Sequence, residues 1–385
     1  MKADKASTTV TTSPCEQYFG HEDFAPRELP RCPVKGCTCR ISQAPFRHRT
    51  DHFLPFCEEH GIRLHGTAGH NPTYVYYNGP RKEDSVRARR RNFRFEAPYV
   101  SQHVLNNPNK AETHRLGHEL SEDALSWNVF VGLMRGGALS TAMNWLAGRS
   151  IQGEPELYMW GCRIDVEQGT HQPYRPLLAA RHVIEPDISR FQTEPDVMLI
   201  VPNAFVMFLE AKFLSGNVLA LPEPAHQREG EKPKSIRGLL DRYFAKNRFW
   251  RDGSKYICAE KIARKFHGQL FRNVVFAAGI AETFEADWQV VNLVRTVKSH
   301  RDLSERITKD VDSDDPTDEV RCYLTDEHKD RFTFRTWEGL YAAVVKNNPR
   351  LRDLAAYMEG KSAHFRPAFE LDLPRAVGRP GLGVP

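Results

Sequence analysis

Residues 194–213, EPDVMLIVPNAFVMFLEAKF, contain two apolar segments of strand length on either side of a Pro202-Asn203 turn signal. If the segments pair as a β-hairpin around this turn, Asp196 lies opposite Glu210, and such cross-strand neighbours have Cβ atoms about 5 Å apart. Glu210 and Lys212 are two residues apart, so they face the same side of the sheet. The hairpin therefore predicts two carboxylates and a lysine at one place beside apolar strands.

These three ionised groups need compensation, because an unpaired charge beside buried strands costs several kcal/mol. Two facing carboxylates also repel each other. A divalent cation between Asp196 and Glu210 removes the repulsion, and oxygen ligands suit Mg²⁺ or Mn²⁺. Lys212 is then available to orient or deprotonate a water, or to stabilise charge that develops on a phosphate. Phosphodiester hydrolysis needs these groups.

Pro195-Asp196, thirteen intervening residues and then Glu210-Ala211-Lys212 resemble the PD-(D/E)XK signature. This superfamily includes restriction endonucleases, Holliday-junction resolvases and repair nucleases. The resemblance covers roughly residues 113–346 and implies an α/β fold with a mixed central sheet flanked by helices, as in restriction endonucleases. It implies that Asp196 and Glu210 bind Mg²⁺ or Mn²⁺ and that Lys212 assists the water.

The resemblance also implies two helical residues near the active site. A glutamate is expected on the helix before the sheet, where Glu122 is the best match and Glu119 the fallback, although Glu122 also suits the first turn of a helix for its dipole alone. Gln269, in HGQLFRNVVFA, is either a site residue or a polar residue at a helix end. Asp187, in a second Pro-Asp pair, ranks below Asp196, and Asp165 is a candidate for an outer role.

Four cysteines lie close together near the N-terminus, in a region with few core residues. Cys32-x4-Cys37 is followed after 19 residues by Cys57-x2-His60. Two short ligand pairs joined by a longer loop favour a tetrahedral structural zinc site, and zinc would supply folding energy. The alternatives are unrelated surface thiols, Cys39 in place of Cys37, and three less favoured histidines: His48, His52 and His65.

Residues 81–94 carry seven Lys or Arg residues. They are interpreted either as a solvated linker or as a contact to the DNA backbone, which would make binding depend on salt. Nearby aromatic residues either stack on bases or belong to a core: Tyr74, Tyr76, Tyr77, Phe93 and Phe95. The arginines proposed to bind nucleic acid are Arg87, Arg89, Arg90, Arg91 and Arg94.

The chain is expected to have five parts: a flexible leader (1–30), a zinc-binding module (31–80), a basic linker (81–112), the nuclease domain (113–370) and a tail (371–385). Helical spacing predicts a helix from about residue 113 to Gly136-Gly137. Other predicted helices span 236–248, 256–272 and 337–346. Predicted strands outside the hairpin span 157–166, 273–280, 288–296 and 332–335.

These features together predict a metal-dependent DNA endonuclease, and the resemblance suggests bacterial restriction or defence against foreign DNA. The alternative is a nucleic-acid-binding regulatory protein with an inactive nuclease fold. The net charge of +5 permits a polyanionic partner, and relatives suggest a homodimer or a partner protein of a defence system. No apolar run approaches the ~20 residues of a membrane span, so a cytoplasmic location is expected. The pattern does not choose between DNA and RNA.

Overall fold

The computed structural model describes residues 31–34, 36–41, 57–67, 70–76, 91–96, 116–165, 170–186, 192–217, 219–220, 256–258, 266–296, 317–322, 324–364 and 366–371. Several predictions lie outside these residues. They are the leader, nearly all of the tail, the helix at 236–248, and the residues His48, His52, Tyr77, Arg87, Arg89, Arg90 and Asp187.

The centre of the fold is a seven-stranded sheet with the spatial order β11-β10-β7-β6-β3-β4-β5. Strand β10 is parallel to β7 and β11, and the remaining neighbours are antiparallel, so the sheet is mixed. The strands in chain order are β1 (Arg63–Thr67), β2 (His70–Val75), β3 (Glu156–Met159), β4 (Cys162–Asp165), β5 (Thr170–Pro173), β6 (Val197–Val201), β7 (Phe205–Ala211), β8 (Leu219–Ala220), β9 (Phe266–His267), β10 (Asp287–Val294), β11 (Phe332–Thr336), β12 (Ser362–Ala363) and β13 (Arg366–Pro367).

Helices cover both faces of this sheet, and alternate residues of β7 show the two layers. Met207 and Leu209 belong to one apolar cluster, whereas Val206 and Phe208 belong to another. The predicted mixed sheet with flanking helices is therefore confirmed. The α-helices are α1 (Glu122–Arg135), α2 (Leu139–Ala147), α3 (Arg175–Ile184), α4 (Gly268–Thr283), α5 (Thr317–Arg321), α6 (Trp337–Leu340, continued by a π-helical turn Tyr341–Val345) and α7 (Arg352–Gly360).

The predicted hairpin around residues 202–204 is present as β6 and β7. Its register pairs Val197 with Leu209 and Val201 with Phe205. All residues of both strands are buried, because helices lie on both faces and other strands lie on both edges. The register makes Asp196 and Glu210 the next opposed pair beyond Val197 and Leu209.

The single strand predicted over residues 157–166 is wrong, because the segment forms the hairpin of β3 and β4. Met159 pairs with Cys162, so the connection contains only Trp160 and Gly161. Both have positive φ, 52° and 79°, as a type I′ turn requires. A tryptophan is an unusual residue at such a position, and the Trp160-Gly161 sequence therefore gave a weak turn signal.

The strand predicted over residues 273–280 is also wrong, because the segment lies within helix α4. A short apolar run cannot distinguish a buried strand from a buried helix by its period, and this helix is buried on most sides. The helix predicted over 256–272 is wrong at the described residues 256–258 and 266–267, and residues 268–272 are helical as predicted. Ile257 forms a bridge with Leu324, and the helix begins only at Gly268.

The other predicted helices and strands that the structure describes agree better with it. Helix α1 ends at the predicted glycine, Gly136, but begins at Glu122, since Ser121 accepts a hydrogen bond from the Ala124 N–H as its N-cap. Strand β10, strand β11 and helix α6 match the predicted elements near 288–296, 332–335 and 337–346. Among the residues that the structure describes, no helix has the length and apolar character to cross a membrane.

Asp287, the first residue of β10, ties the sheet to two neighbouring segments. Its carboxylate forms ion pairs with Arg149, at 2.6 Å, and with Arg331. Burial works to raise the pKa of Asp287, but hydrogen bonds from both arginines and from the Trp288 N–H outweigh it and lower the pKa. The folded state therefore favours the charged carboxylate.

We expect Asp287→Asn to lower the free energy of unfolding at pH 7 by about 1 kcal/mol, after allowance for solvent screening of a partly exposed group. Because the folded pKa is depressed, the stabilisation is complete above the ordinary value of 3.8 and is lost as pH falls through the folded pKa. Urea unfolding of the two proteins across pH 2–7 measures this difference.

Asp326→Asn is the matched control, because the Asp326 side chain pairs with Lys329 but is 87% exposed. We expect it to change stability by a few tenths of a kcal/mol at most. A loss for Asp287→Asn that stayed constant down to the acidic limit would contradict the assigned ion pairs.

Candidate functional site

Glu210 and Lys212 form a buried ion pair at the end of strand β7. Lys212 Nζ donates to Glu210 Oε1 over 2.6 Å, and the two residues are only 7% and 3% exposed, respectively. Asp196, at the start of β6, is partly buried, and its Oδ2 accepts a hydrogen bond from the Ala211 N–H at 2.9 Å. The structure therefore brings the three predicted residues to one end of the β6–β7 hairpin.

The charges around Lys212 keep its ammonium group protonated. Burial alone would lower the pKa of Lys212, but the negative charges of Glu210, Asp196 and Glu122 outweigh burial and raise it. The main chain of Lys212 is also fixed, because its N–H donates to the Leu293 carbonyl at 2.8 Å and its carbonyl accepts from Trp337 Nε1 at 2.9 Å. Lys212 is thus a rigidly held cation.

Three asparagines that sequence analysis missed surround Glu210. Asn273, on helix α4, donates to Glu210 Oε2 at 3.0 Å. Asn292, directly beside Glu210 on β10, donates to the Glu210 carbonyl at 3.1 Å, and Asn217 donates to Asn292 Oδ1 at 2.8 Å. The only available signal was the presence of polar residues within apolar segments, such as Asn292 in WQVVNLV.

Glu122 lies at the start of helix α1 and reaches the segment that follows Lys212. Its Oε1 accepts from the Phe213 and Ser215 N–H groups, each at 3.3 Å, and from the Ser215 hydroxyl. Its charge also acts on Lys212. The structure therefore places Glu122 near the Glu210–Lys212 pair rather than only at a solvated helix end.

The other acidic and amide candidates lie in different settings. Gln269 is exposed in the first turn of α4, and Asn273, one turn later, makes the contact to Glu210. Glu119 is fully buried and binds Thr73 and Ser362, far along the chain from the hairpin. Asp165 ends strand β4, where it pairs with Thr170.

The four predicted zinc ligands form a compact cluster. Cys32, Cys37, Cys57 and His60 each offer a ligand atom, and these atoms all lie within 4.8 Å of one another. The Cys37 and Cys57 sulfurs are 3.7 Å apart, and the Cys57 sulfur is 3.4 Å from His60 Nδ1. Tetrahedral zinc with its usual bond lengths separates two sulfurs by about 3.8 Å and a sulfur from a nitrogen by about 3.5 Å.

Cys39 lies next to this cluster, where its thiol interacts with that of Cys57, but its sulfur is not one of the four converging ligand atoms. Its sulfur lies 3.8 Å from the Arg40 carbonyl, and its main-chain carbonyl accepts from the Cys32 N–H at 2.8 Å. The described ligands thus favour Cys37 over Cys39. Within the described part of the chain, the four-residue cluster is the one group of three or more Cys, His, Asp or Glu ligand atoms with this spacing.

The Cys57 thiol is prepared for metal binding. Burial works to raise the pKa of Cys57, but hydrogen bonds with His60, Cys32 and Cys37 outweigh it and lower the pKa to about 7. The thiolate is the form that binds a metal. In contrast, burial raises the pKa of Cys32. The cluster can therefore hold a structural metal such as zinc.

The cysteine–histidine cluster is joined to helix α1 through a short path of hydrogen bonds. Arg91 donates to the carbonyls of His60 and Tyr76, the latter at 3.1 Å. The next residue, Asn92, donates to the His118 carbonyl at 2.9 Å, and this carbonyl also accepts from the Ser121 N–H at 3.1 Å. Ser121 in turn caps the helix that carries Glu122.

The aromatic candidates that the structure describes face inward, and the two described arginines contact protein groups. Arg91 binds the two carbonyls above, and Arg94 lies 3.6 Å from Asp353. Phe93 and Phe95 belong to the main core, and Tyr74 and Tyr76 belong to the core of the N-terminal module. For these aromatic residues, the structure favours the core interpretation over base stacking.

No protein-family model matches the chain, and neither a curated protein nor a solved structure matches it. The assignment of a family therefore depends on the residues and geometry described above.

We expect the purified protein to hold one zinc ion per chain. Cys37→Ser should lose most of the zinc, because it removes one of the four converging ligand atoms, and it should lower the melting temperature. Mass spectrometry under native conditions measures the zinc content, and calorimetry measures the melting temperature.

Cys39→Ser is the matched control, since it alters a neighbouring thiol of the same kind that lies outside the cluster. It should keep both the zinc and the melting temperature. The ligand assignment is wrong if Cys39→Ser loses zinc and Cys37→Ser keeps it.

Proposed function

We propose that the chain is a metal-dependent nuclease of the PD-(D/E)XK type with a restriction-endonuclease-like fold. The observation that carries this proposal is the buried Glu210–Lys212 pair, with Glu210 opposite Asp196 at the end of the β6–β7 hairpin. Replacement of a buried ion pair by apolar residues of similar volume is often neutral or stabilising. A catalytic role therefore explains an ion pair inside such an apolar hairpin better than a contribution to fold stability does.

The residues fit a divalent cation with oxygen ligands. Asp196 and Glu210 would hold it, and Mg²⁺ commonly takes only one or two protein carboxylates. Lys212 and Asn273 each bind one oxygen of Glu210, so each oxygen keeps a further lone pair for a ligand. When bound, such a cation polarises the phosphoryl group and lowers the pKa of water.

The chain's own groups would then perform three tasks. Lys212 uses one of its three N–H donors on Glu210 and has others for an oxygen of the phosphate. Glu122 fixes the segment after Lys212 and adds negative charge near it. Asn273 holds the Glu210 carboxylate in one orientation.

DNA is the proposed substrate, in restriction or defence against foreign DNA within the cytoplasm, with zinc as the metal of the N-terminal module. The DNA substrate and the defence role rest on the resemblance of residues 195–212 to the family signature, whereas zinc rests on the cluster of Cys32, Cys37, Cys57 and His60. The basic segment 81–94 would contact the backbone chiefly through Arg87, Arg89 and Arg90. A homodimer and a partner protein of a defence system are also proposed from this resemblance alone.

A second candidate function is nucleic-acid binding without catalysis, and one observation favours the absence of catalysis. Both oxygens of Glu210 already have hydrogen-bond donors from the protein, so the pair is complete as a purely structural interaction. The two functions differ in whether a divalent cation produces cleavage.

We expect zinc-loaded protein to cut plasmid or linear DNA when Mg²⁺ or Mn²⁺ is added, and Lys212→Ala to reduce the rate by about a hundredfold or more, because it removes the cation that faces the phosphate. Lys329→Ala should retain the rate, since Lys329 pairs with Asp326 at the surface. Gel analysis of the products with matched RNA substrates distinguishes DNA from RNA.

EDTA followed by return of either Mg²⁺ or Zn²⁺ separates the two metal requirements. Binding of DNA with no cleavage under any of these conditions would support the non-catalytic candidate. Equal cleavage by the wild type and Lys212→Ala would remove Lys212 from the proposed centre.

A pair of glutamate variants separates a site role from a structural one. We expect Glu122→Gln to lower the cleavage rate about tenfold with little change in melting temperature, because the amide oxygen can still accept the three hydrogen bonds at Phe213 and Ser215. Glu119→Gln should instead lower the melting temperature, since Glu119 accepts from Thr73, Tyr74 and Ser362 in the interior. Rates per folded molecule and thermal melts of both variants check this; the reverse pattern would exchange the two roles.

A further inference from the structure

A short chain of side-chain amides leads from the loop after β7 to the main chain of Glu210. Asn217 donates to Asn292 Oδ1 at 2.8 Å, and Asn292 donates to the Glu210 carbonyl at 3.1 Å. Asn217 and Asn292 are 3% and 0% exposed. The pair is therefore an interior polar connection between three separate segments.

This connection has a feature that fold stability does not explain. The Asn217 Oδ1 atom is buried and has no hydrogen-bond partner among the described residues. A buried acceptor without a donor costs free energy, and apolar residues of the same shape in place of such a pair can be neutral or stabilising. Gln289 Oε1 is a buried acceptor of the same kind, so this feature alone assigns no role to the two asparagines, and the reason for them has to come from their location.

The location supplies that reason. Asn292 stands directly beside Glu210 in the parallel register of β10 and β7, and its donor holds the Glu210 carbonyl. Asn273 holds the Glu210 side chain from helix α4 at 3.0 Å. One amide thus fixes the main chain of Glu210, and another fixes its carboxylate.

We propose that Asn292 and Asn217 are positioning residues that hold Glu210 in the orientation in which it binds a divalent cation. This inference rests on the proposed function for the cation itself. Asn292 acts through the Glu210 main chain, and Asn217 fixes the amide orientation of Asn292.

The test is the binding of Mn²⁺ to the zinc-loaded full chain, measured by calorimetry and by the Mn²⁺ electron paramagnetic resonance signal. Glu210→Ala gives the baseline for ions bound elsewhere. We expect Asn292→Leu to weaken the Glu210-dependent binding about tenfold or more, as is common when a supporting group of a metal ligand is lost. Asn217→Leu should weaken it in the same direction by a smaller factor.

Gln289→Leu is the matched control. Gln289 is fully buried on the same strand and likewise donates its amide to a carbonyl, that of Asp330, at 2.9 Å. It lies three residues before Asn292, so it should affect folding in a similar way and leave the Mn²⁺ affinity unchanged. If Asn292→Leu does not fold, Asn217→Leu against the same control carries the test.

Activity adds a second measurement if the wild type cleaves DNA. The Mn²⁺ concentration for half-maximal rate should rise in Asn292→Leu, while the KM for DNA stays constant. Wild type that binds Mn²⁺ through Glu210 but cuts nothing would end the nuclease proposal and leave the positioning test intact. Mn²⁺ affinities of Asn292→Leu and Asn217→Leu equal to that of Gln289→Leu, or wild-type binding equal to that of Glu210→Ala, would overturn the positioning role.

Discussion

The structure depends on the protein hydrogen-bond partners of one buried ion pair, Glu210–Lys212. Glu210 and Lys212 lie two residues apart on a strand whose neighbours are apolar, and Asn273 and the Lys212 ammonium occupy the two Glu210 oxygens. Because charges inside a protein need full sets of partners, the surrounding elements are specified as much by polar contacts as by packing. Helix α4 contributes Asn273, strand β10 contributes Asn292, and Trp337 at the start of α6 fixes the Lys212 carbonyl. Strand β10 and helices α4 and α6 thus all contribute hydrogen-bonding groups at the end of β7.

The N-terminal module has a different physical problem, which is the small size of its apolar core. Its apolar core is a small cluster around Ile62, Leu64 and Val75, too small for stability without further support. The cysteine–histidine cluster offers one support. The other is Glu119, which lies in the larger domain and accepts hydrogen bonds from Thr73 and Tyr74 of strand β2. The cysteine–histidine cluster and a buried carboxylate therefore both support this small module.

The sequence was sufficient for features that are local in the chain. The β6–β7 hairpin follows from two apolar runs around Pro202-Asn203, and the cysteine–histidine cluster follows from two close pairs of Cys and His residues. It was insufficient where local patterns are ambiguous. The run at 273–280 is apolar throughout, so its pattern fits a buried strand and a buried helix equally well. In the structure it is a buried part of helix α4. Asn292 could not be linked to Glu210, because their contact depends on the parallel register of strands 82 residues apart.

The attachment of the N-terminal module to helix α1 bears on how such a module could be exchanged in evolution. Many recognition modules are joined to their enzymes by tethers and can be exchanged as independent pieces. Here Arg91 holds the His60 carbonyl, Asn92 holds the turn before α1, and Phe93 fills the main core. The junction is therefore an internal part of the fold. An exchange of the module between related proteins would have to carry residues 91–95 and the 116–121 turn with it, so the module and the domain are expected to diverge together rather than by shuffling.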